Sequence, residues 1–283
     1  MKIIICEAGA TKADWRVVQD GRLTDRLLTP GINVSAMNAE AVRSAIQGAA
    51  ASLPGGPYAE VHFYTAGVIT PDIRQQLEGL LAEGFGPERT EIQTDLIASA
   101  RAACGHAPGI AAILGTGSNS CQWDGERIVG HINSGGYIIG DEGSASVLGK
   151  LFISDYIKGL VPAEIAADYA ARFPSEYADI VTMVYHNPGS PSGWLGGLAP
   201  FIVSHYDHPY AKALVDGNFL AFVRRCLKQY DTDRYPVGIV GGFGNAMQDI
   251  VRPIFEAEGI RIRAFIPAPI EELVKYHGGI IQE

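Results

Sequence analysis

The stretch Ile113-Leu114-Gly115-Thr116-Gly117-Ser118-Asn119-Ser120 decides the fold, because it turns one predicted strand into the next. The apolar run from Gly109 to Leu114 predicts a buried strand. Two glycines then free the backbone for a tight turn, and the run from Ser120 to Trp123 predicts a second, more polar strand. Asp124-Gly125 follows as a strong hairpin signal. The stretch therefore predicts two successive strands joined by a glycine-rich turn.

The chemistry of this turn suits a phosphate group. A tight glycine turn presents several successive backbone N–H groups, and the hydroxyl groups of Thr116 and Ser118 add donors. An ordinary glycine-rich hairpin would show the same pattern. A second turn near the start of the chain, from Glu7 to Lys12, also combines an acid, a glycine, a threonine and a lysine. The pair of turns favours phosphate binding.

The composition indicates a globular protein of two lobes. The chain has 283 residues, of which 47% are hydrophobic and 19% charged, enough for one large core or two lobes of ordinary domain size. No apolar run reaches the roughly eighteen residues that a membrane span requires, and no signal-peptide pattern follows Met1. The formal net charge of −9 disfavours nucleic acid as a partner. We therefore expect a cytoplasmic protein that binds a small molecule and neither a membrane nor nucleic acid.

The first part of the chain predicts a three-stranded meander followed by alternating strands and helices. Apolar and β-branched runs predict strands at 2–6, 13–19, 22–29, 60–64 and 88–93. Helical spacing and end signals predict helices at 39–51, 71–81 and 96–104. This order is typical of a mixed α/β lobe.

From residue 109 the same pattern starts again. Strands are predicted at 110–114, 120–123, 127–133, 237–240 and 260–266, and helices at 145–157, 247–258 and 270–276, with a helix-rich stretch over 162–230. The predicted domains are an N-terminal lobe of residues 1–108 and a C-terminal lobe of residues 109–268 with a helical insertion at about 158–230. Residues 269–283 form a closing helix that we expect to pack back towards the N-terminal lobe.

Five short motifs in this order resemble those of one superfamily. They are Glu7 to Lys12, Thr94-Asp95, Leu114 to Asn119, Gly140 to Ser144 and Val240 to Gly242. Together they resemble the actin-like ATPase superfamily, which includes sugar kinases and heat-shock chaperones. Within it, the chain is similar over its whole length to the N-acetylglucosamine kinase branch, related to the BadF/BadG/BcrA/BcrD ATPases.

The resemblance implies a fold and an activity. The fold is α/β, with two actin-like (ribonuclease H-like) βββαβα lobes and an ATP and sugar cleft between them. The activity is ATP-dependent phosphorylation of a hydroxyl group of an amino sugar, with the 6-hydroxyl of N-acetylglucosamine as the expected acceptor. The oligomeric state stays open, a homodimer included.

The resemblance also assigns residues to ATP and Mg²⁺. Residues expected to bind the nucleotide lie in three glycine turns: Gly9, Thr11, Lys12, Gly115, Thr116, Gly117, Gly241 and Gly242. For the last two, a plain strand-to-helix turn is the alternative. Glu7 is expected to hold Mg²⁺ through water, although this superfamily usually has Asp there. The extra methylene moves the carboxylate by about 1.5 Å, a shift large enough to affect catalysis.

Asp95 is the candidate general base, since a carboxylate just past a strand end can accept the proton of a sugar hydroxyl. Its alternative role is a helix N-cap. Asn33, Ser118 and Asp141 are expected, with Asp95, to bind the sugar. For Asn33 the alternative is turn chemistry after Pro30-Gly31, and for Asp141 it is again a helix cap.

Gly135-Gly136-Tyr137 departs from related amino-sugar kinases, which have a tryptophan in this glycine stretch. Recognition of the N-acetyl group is therefore open. N-acetylmuramic acid, glucosamine and other hexose derivatives stay as alternative substrates.

Two other functions fit the same fold. A dehydratase-activator ATPase needs paired cysteines that hold a cluster between subunits, but Cys6, Cys104, Cys121 and Cys226 are scattered without CxxC spacing. A non-catalytic sugar or nucleotide sensor is supported by Glu7 and opposed by the presence of Asp95, Thr116 and Asp141 together.

Overall fold

The computed structural model describes residues 1–9, 12–32, 34, 37–67, 70–186 and 190–281. The chain divides into two compact units. The first consists of Met1–Pro108, Trp123–Ile128 and Ala268–Glu283, and the second of Gly109–Gln122 and Val129–Pro267. No helix within the described ranges is long and apolar enough to cross a membrane.

Ten strands form two sheets in the described part of the chain. They are β1 (Lys2–Ala8), β2 (Lys12–Gln19), β3 (Arg22–Pro30), β4 (Glu60–Thr65), β5 (Arg89–Thr94), β6 (Gly109–Leu114), β7 (Ser118–Trp123), β8 (Ile128–Ile132), β9 (Val237–Val240) and β10 (Ile262–Ile266). The orders are β3-β2-β1-β4-β5 and β10-β9-β6-β7-β8. In each sheet, three strands that are consecutive in the chain are followed by two that are reached through crossovers. The α/β fold class and its internal repeat are therefore confirmed.

The helices lie mostly between β3 and β5 and between β8 and β9. They are α1 (Ala39–Ser52), α2 (Pro71–Phe85), α3 (Asp95–Cys104), α4 (Gly136–Ile139), α5 (Ala145–Tyr156), α6 (Ala163–Ala170), α7 (Tyr177–Val181), α8 (Pro191–Gly197), α9 (Ala199–Ser204), α10 (Pro209–Arg225), α11 (Gly242–Ala246), α12 (Gln248–Ala257) and α13 (Ile270–Tyr276). A π-helical turn covers Thr182–His186, and a 3₁₀ turn covers Leu227–Gln229.

Strand β1 is buried on both faces. It pairs antiparallel with β2 and parallel with β4. Because successive side chains of a strand alternate between faces, Ile4 and Cys6 join a core with α1 and α2, while Ile3 and Ile5 join one with α13. The apolar run at the start of the chain is thus the centre of the first sheet.

The second unit has a larger core around its helices. Ile110 and Leu114 of β6 pack there with Leu148 of α5 and Phe222 of α10, and all four residues are buried. The helices between β8 and β9 add their apolar faces to the same core.

Two short helices were not predicted. The helix predicted at 247–258 is α12, but the short helix α11 precedes it, and the two are separated at Met247, whose backbone (φ −98°, ψ 16°) leaves the helical region. The glycine-rich stretch before Asp141 contains the short helix α4, which the glycines on either side had hidden.

Candidate active site

The first motif of the resemblance, Glu7 to Lys12, runs from the end of β1 to the start of β2. The Gly9 N–H donates to the Lys12 carbonyl at 2.9 Å. The Lys12 side chain is exposed and available to a ligand. Thr11, predicted to contact the nucleotide, lies outside the described residues, as does the predicted sugar ligand Asn33.

Glu7 lies near two further carboxyl groups. It is the register partner of Asp14 on β2. Burial raises the pKa of Glu7 to about 7; Lys12 opposes this rise, and Asp14 and Asp95 add to it. Carboxylate oxygens are ligands that Mg²⁺ accepts. Asp14 is paired with the buried Arg16, so Glu7 is better placed than Asp14 for such a role.

Asp95 is the first residue of α3, and the structure gives the capping role to its neighbour. The Thr94 hydroxyl accepts the N–H of Ile97 at 3.3 Å, which makes Thr94 the N-cap. Asp95 Oδ1 accepts the N–H of Leu96 at 2.9 Å. Burial raises the pKa of Asp95, while hydrogen bonds from the backbone N–H groups of Leu96 and Asp95 act in the opposite direction. The helix therefore does not depend on Asp95 as its cap.

In the second unit, the glycine turn between β6 and β7 is fastened to the start of α5. Within the turn, the Gly115 N–H donates to the Gly117 carbonyl at 2.9 Å. The carbonyls of Gly115 and Thr116 accept the N–H groups of Ala145 and Ser146 at 3.0 and 3.1 Å. Two N–H groups of the first turn of α5 are therefore already bonded within the protein.

Asp141 lies directly against this turn. Its backbone has a positive φ of 56°, which is uncommon for a residue other than glycine. A Cβ atom placed on Gly117 would lie 2.9 Å from Asp141 Oδ2, so the carboxylate would have to move to admit any other residue. Burial raises the pKa of Asp141, and the Ser118 N–H, which bonds the carboxylate, lowers it. The structure thus brings Gly117, Ser118 and Asp141 together.

Asn218, which the sequence analysis did not select, holds the loop that carries Asp141. This residue of α10 is 2% exposed. Its Oδ1 accepts the Gly143 N–H at 2.9 Å, and its Nδ2 donates to the Ser144 carbonyl at 3.0 Å. The Ser144 hydroxyl then caps α5 by accepting the Val147 N–H at 3.2 Å. The signal in the sequence that could have identified Asn218 is a lone asparagine on the apolar face of α10.

The hydroxyl of Ser118 and the side chain of Glu142 complete this loop. Ser118 Oγ donates to the Glu142 carbonyl at 2.7 Å, which leaves its lone pairs to accept from a ligand. The Glu142 carboxylate pairs with Arg225 Nε at 2.6 Å. Glu142 is therefore bound to the protein and is not a solvated charge.

The two glycines after β9 have different reasons to be glycine. Gly241 has a φ of 122°, and a Cβ there would lie 2.6 Å from the Leu114 carbonyl oxygen. Its identity is explained by the close packing of β9 on β6. At Gly242 no atom lies within 4 Å of an added Cβ, so this position borders open space that a ligand could occupy.

The cysteines do not form a surface site. Cys6, Cys104, Cys121 and Cys226 are all buried. The dehydratase-activator alternative requires cysteines at the protein surface that hold a cluster between subunits. None of these four cysteines lies at the surface.

In the comparisons with known proteins, matches were found among solved structures. No family model and no curated protein matches the sequence. Among solved structures, the chain is similar to a putative N-acetylglucosamine kinase from Porphyromonas gingivalis, with 33% identity, a TM-score of 0.88 and 98% of each chain covered.

Two more distant structures share the fold. A putative N-acetylglucosamine kinase from Chromobacterium violaceum has 20% identity and a TM-score of 0.77, with 97% of this chain and 98% of that chain covered. A ROK family glucokinase from Streptomyces griseus, in complex with glucose and AMPPNP, has 18% identity and a TM-score of 0.57, with 98% of each chain covered. At these identities the likeness shows the fold alone.

Proposed function

Because the chain belongs to the N-acetylglucosamine kinase-like family of actin-like sugar kinases, we propose that it transfers the γ-phosphoryl group of ATP to an amino sugar. The acceptor we propose is the 6-hydroxyl of N-acetylglucosamine. The observation that carries this proposal is Asp95, a largely buried carboxyl group with a raised pKa at the start of α3, whose capping role is taken by Thr94.

Asp95 is the general base of the proposed reaction. Its carboxylate accepts the proton of the sugar hydroxyl as the hydroxyl oxygen bonds to the γ-phosphorus. The bond from that phosphorus to the bridging oxygen breaks, and ADP leaves with the electron pair. Since phosphoryl transfer depends mainly on positioning and charge stabilisation, the main task of the other residues is to hold the two substrates. The raised pKa of Asp95 makes it a stronger proton acceptor than an exposed aspartate.

The nucleotide is held by residues of three turns. In the first unit these are Gly9, Thr11 and Lys12, whose ammonium group supplies a positive charge for phosphate oxygens. In the second unit Thr116 and Gly117 supply N–H and hydroxyl donors, and the N–H of Gly115 closes the turn that presents them. The open side of Gly242 admits the nucleotide close to the backbone. Gly241 acts through the packing that shapes this turn.

Glu7 is the acid that holds Mg²⁺ through water, and the neighbouring carboxyl groups make its surroundings favourable for a cation. When bound with ATP, Mg²⁺ neutralises charge on the phosphates. The sugar is held by Asn33, Ser118 and Asp141. A carboxylate such as Asp141 accepts hydrogen bonds from two neighbouring hydroxyl groups of a sugar.

The variant Asp95→Asn tests this function. Asparagine keeps the size of the side chain and an oxygen that can accept the Leu96 N–H, but it cannot take up the proton. We expect turnover, measured as ADP release with N-acetylglucosamine, to fall by roughly a hundredfold to ten-thousandfold. Calorimetry should still detect binding of both substrates.

The matched control is Asp72→Asn, an acid-to-amide change in the first turn of α2, which should keep full turnover. Full activity of Asp95→Asn would refute the role of Asp95. A wild-type protein that binds sugar and ATP but turns over no amino sugar would refute the kinase function and favour a sensor.

A further inference from the structure

The second unit contains a cavity of about 400 Å³ that the proposed chemistry does not use. Its volume is in the range of small-molecule sites. Its walls come from α4, α5, α7, the π-helical turn and α8. Ile153, Ile180 and Leu195 form the buried floor, and Lys150 is the only charged side chain among its described lining residues.

The rim of the cavity is apolar and unusually exposed. Ile138 is 71% exposed, Tyr177 68% and Tyr185 75%. Large apolar side chains grouped around a concave surface are typical of a binding site. The lining therefore suits an apolar group with a polar end near Lys150.

The cavity and Asp141 share one loop. The Asp141 N–H donates to the Ser134 carbonyl and the Gly140 N–H to the Gly136 carbonyl, both at 2.8 Å. These two hydrogen bonds make the segment from Ser134 to Asp141 a closed loop. Tyr137, which lines the cavity, lies four residues before Asp141. Because the Gly136 carbonyl next to Tyr137 accepts the Gly140 N–H next to Asp141, the backbones of Tyr137 and Asp141 lie within about 10 Å of one another.

Lys150 connects the same two features. Its Nζ donates to the Tyr137 carbonyl at 2.5 Å and to the Ile138 carbonyl at 3.4 Å, which fixes α4 to α5. Its charge also lowers the pKa of Asp141, against the effect of burial. The wall of the cavity is therefore held to the same loop as the carboxylate that is proposed to bind the sugar.

We propose that this cavity binds the acyl group on the nitrogen of the acceptor sugar, and that it admits acyl chains longer than acetyl. The inference rests on the proposed sugar kinase function. A methyl group, similar in size to one water of about 30 Å³, would leave most of the cavity empty. A six-carbon acyl chain spans about 6 Å and brings its apolar end among Ile153, Ile180 and Leu195. Lys150 remains at the polar end, near the amide.

The test compares N-acetylglucosamine with N-hexanoylglucosamine as substrates of the full chain. Burial of the added methylenes should raise wild-type kcat/KM for the hexanoyl sugar about tenfold above that for the acetyl sugar. Val184→Trp places a bulky ring in the cavity, so the hexanoyl-to-acetyl ratio of kcat/KM should fall about tenfold. Val129→Trp, the same change at a 51% exposed position of β8, should keep the ratio.

A second variant guards against misfolding. Ile138→Ser removes an apolar side chain from the exposed rim and should lower the same ratio without disturbing the core. Acetyl turnover with no hexanoyl turnover, or an unchanged ratio in both cavity variants, would overturn the inference and leave the kinase function intact. An unchanged ratio together with a change from dimer to monomer on gel filtration would assign the rim to a second copy of the chain.

If no sugar is phosphorylated, the kinase proposal fails and the cavity is read by binding alone. Calorimetry with N-hexanoylglucosamine then decides: binding to the wild type that is lost in Val184→Trp supports an acyl site, and no binding to the wild type overturns it.

Discussion

The Glu7 carboxyl group has a pKa near neutrality because it is partly buried among other acids. With a pKa of about 7, it is mostly protonated at pH 6 and mostly ionised at pH 8. If it holds Mg²⁺, a bound cation must displace the proton. We therefore expect Mg²⁺ affinity, measured by calorimetry with ATP present, to rise about tenfold from pH 6 to pH 8.

Two glutamine variants separate the titration of Glu7 from the loss of a carboxylate elsewhere on the protein. Glu7→Gln should remove the pH dependence, because the amide does not titrate. Glu40→Gln, at an 84% exposed side chain of α1, should keep it. An identical pH dependence in wild type and Glu7→Gln would contradict a role of Glu7 in cation binding.

Gly117 is restricted by Asp141, whose Oδ2 lies 2.9 Å from the place of a Cβ. Gly117→Ala should displace the carboxylate and lower kcat/KM for the sugar by roughly a hundredfold, since a misplacement of 1 Å can have an effect of that size. The control is Gly48→Ala in α1, where no atom lies within 4 Å of the added Cβ. Wild-type sugar kinetics in Gly117→Ala would show that the position of Asp141 is unimportant.

At this scale, the sequence was informative where residues are close in the chain. The glycine turn and Asp141 carry their own local signals. Asn218 could not be placed, because its partners Gly143 and Ser144 are 75 and 74 residues away. The sequence analysis gave Asp95 an alternative role as the N-cap of a helix. In the structure the N-cap of α3 is Thr94, which precedes Asp95 and is also a good N-cap residue.

Among the elements, the loop from Gly140 to Ser144 depends on α10. Asn218→Ala leaves a buried N–H and a buried carbonyl without their partner, at a cost of about 1–3 kcal/mol each. We expect urea unfolding to show a loss of about 2–4 kcal/mol, and sugar kcat/KM to fall as Asp141 moves.

Asn38→Ala is the matched control for this change. Asn38 caps α1 through the Ala41 N–H at 2.9 Å, so its loss should cost about 1 kcal/mol and leave sugar kinetics unchanged. Equal effects of both variants on the sugar would mean that Asn218 acts only through overall stability.

Strands were easier to predict than short helices. The apolar runs of β1, β6 and β9 match their predicted positions because buried strands need continuous apolar residues. The short helices α4 and α11 were not predicted, because the glycines within or beside them disfavour a helix. Such short helices depend on tertiary packing.

Across the whole chain, the two ends meet in the first unit. His277, which follows α13, stacks on His62 of β4 with ring centroids 3.7 Å apart. The Tyr64 hydroxyl lies 2.7 Å from His277 Nε2, and Arg101 donates to the same hydroxyl and to Glu91. Burial alone would raise the pKa of Glu91, but hydrogen bonds from His62 and Arg101 hold it well below its usual range. The sequence could not predict this cluster of side chains, because it joins residues 213 positions apart.

Stability of the whole molecule should therefore depend on pH through His277. Burial lowers the pKa of His277 to about 3, with His62, Arg101 and His106 acting in the same direction and Glu91 opposing them. The unfolded chain binds a proton at this histidine below about pH 6.5, whereas the folded protein does not until about pH 3. The unfolded state thus holds more protons in this window, and stability must fall as the pH falls through it.

In His277→Phe, which keeps an aromatic ring against His62, the fall in Tm between pH 7.5 and pH 5 should be smaller than in the wild type. His131→Phe, the same change at an exposed position, should keep the full fall. An equal fall in Tm in the wild type and His277→Phe would show that the pH dependence of stability does not arise from His277.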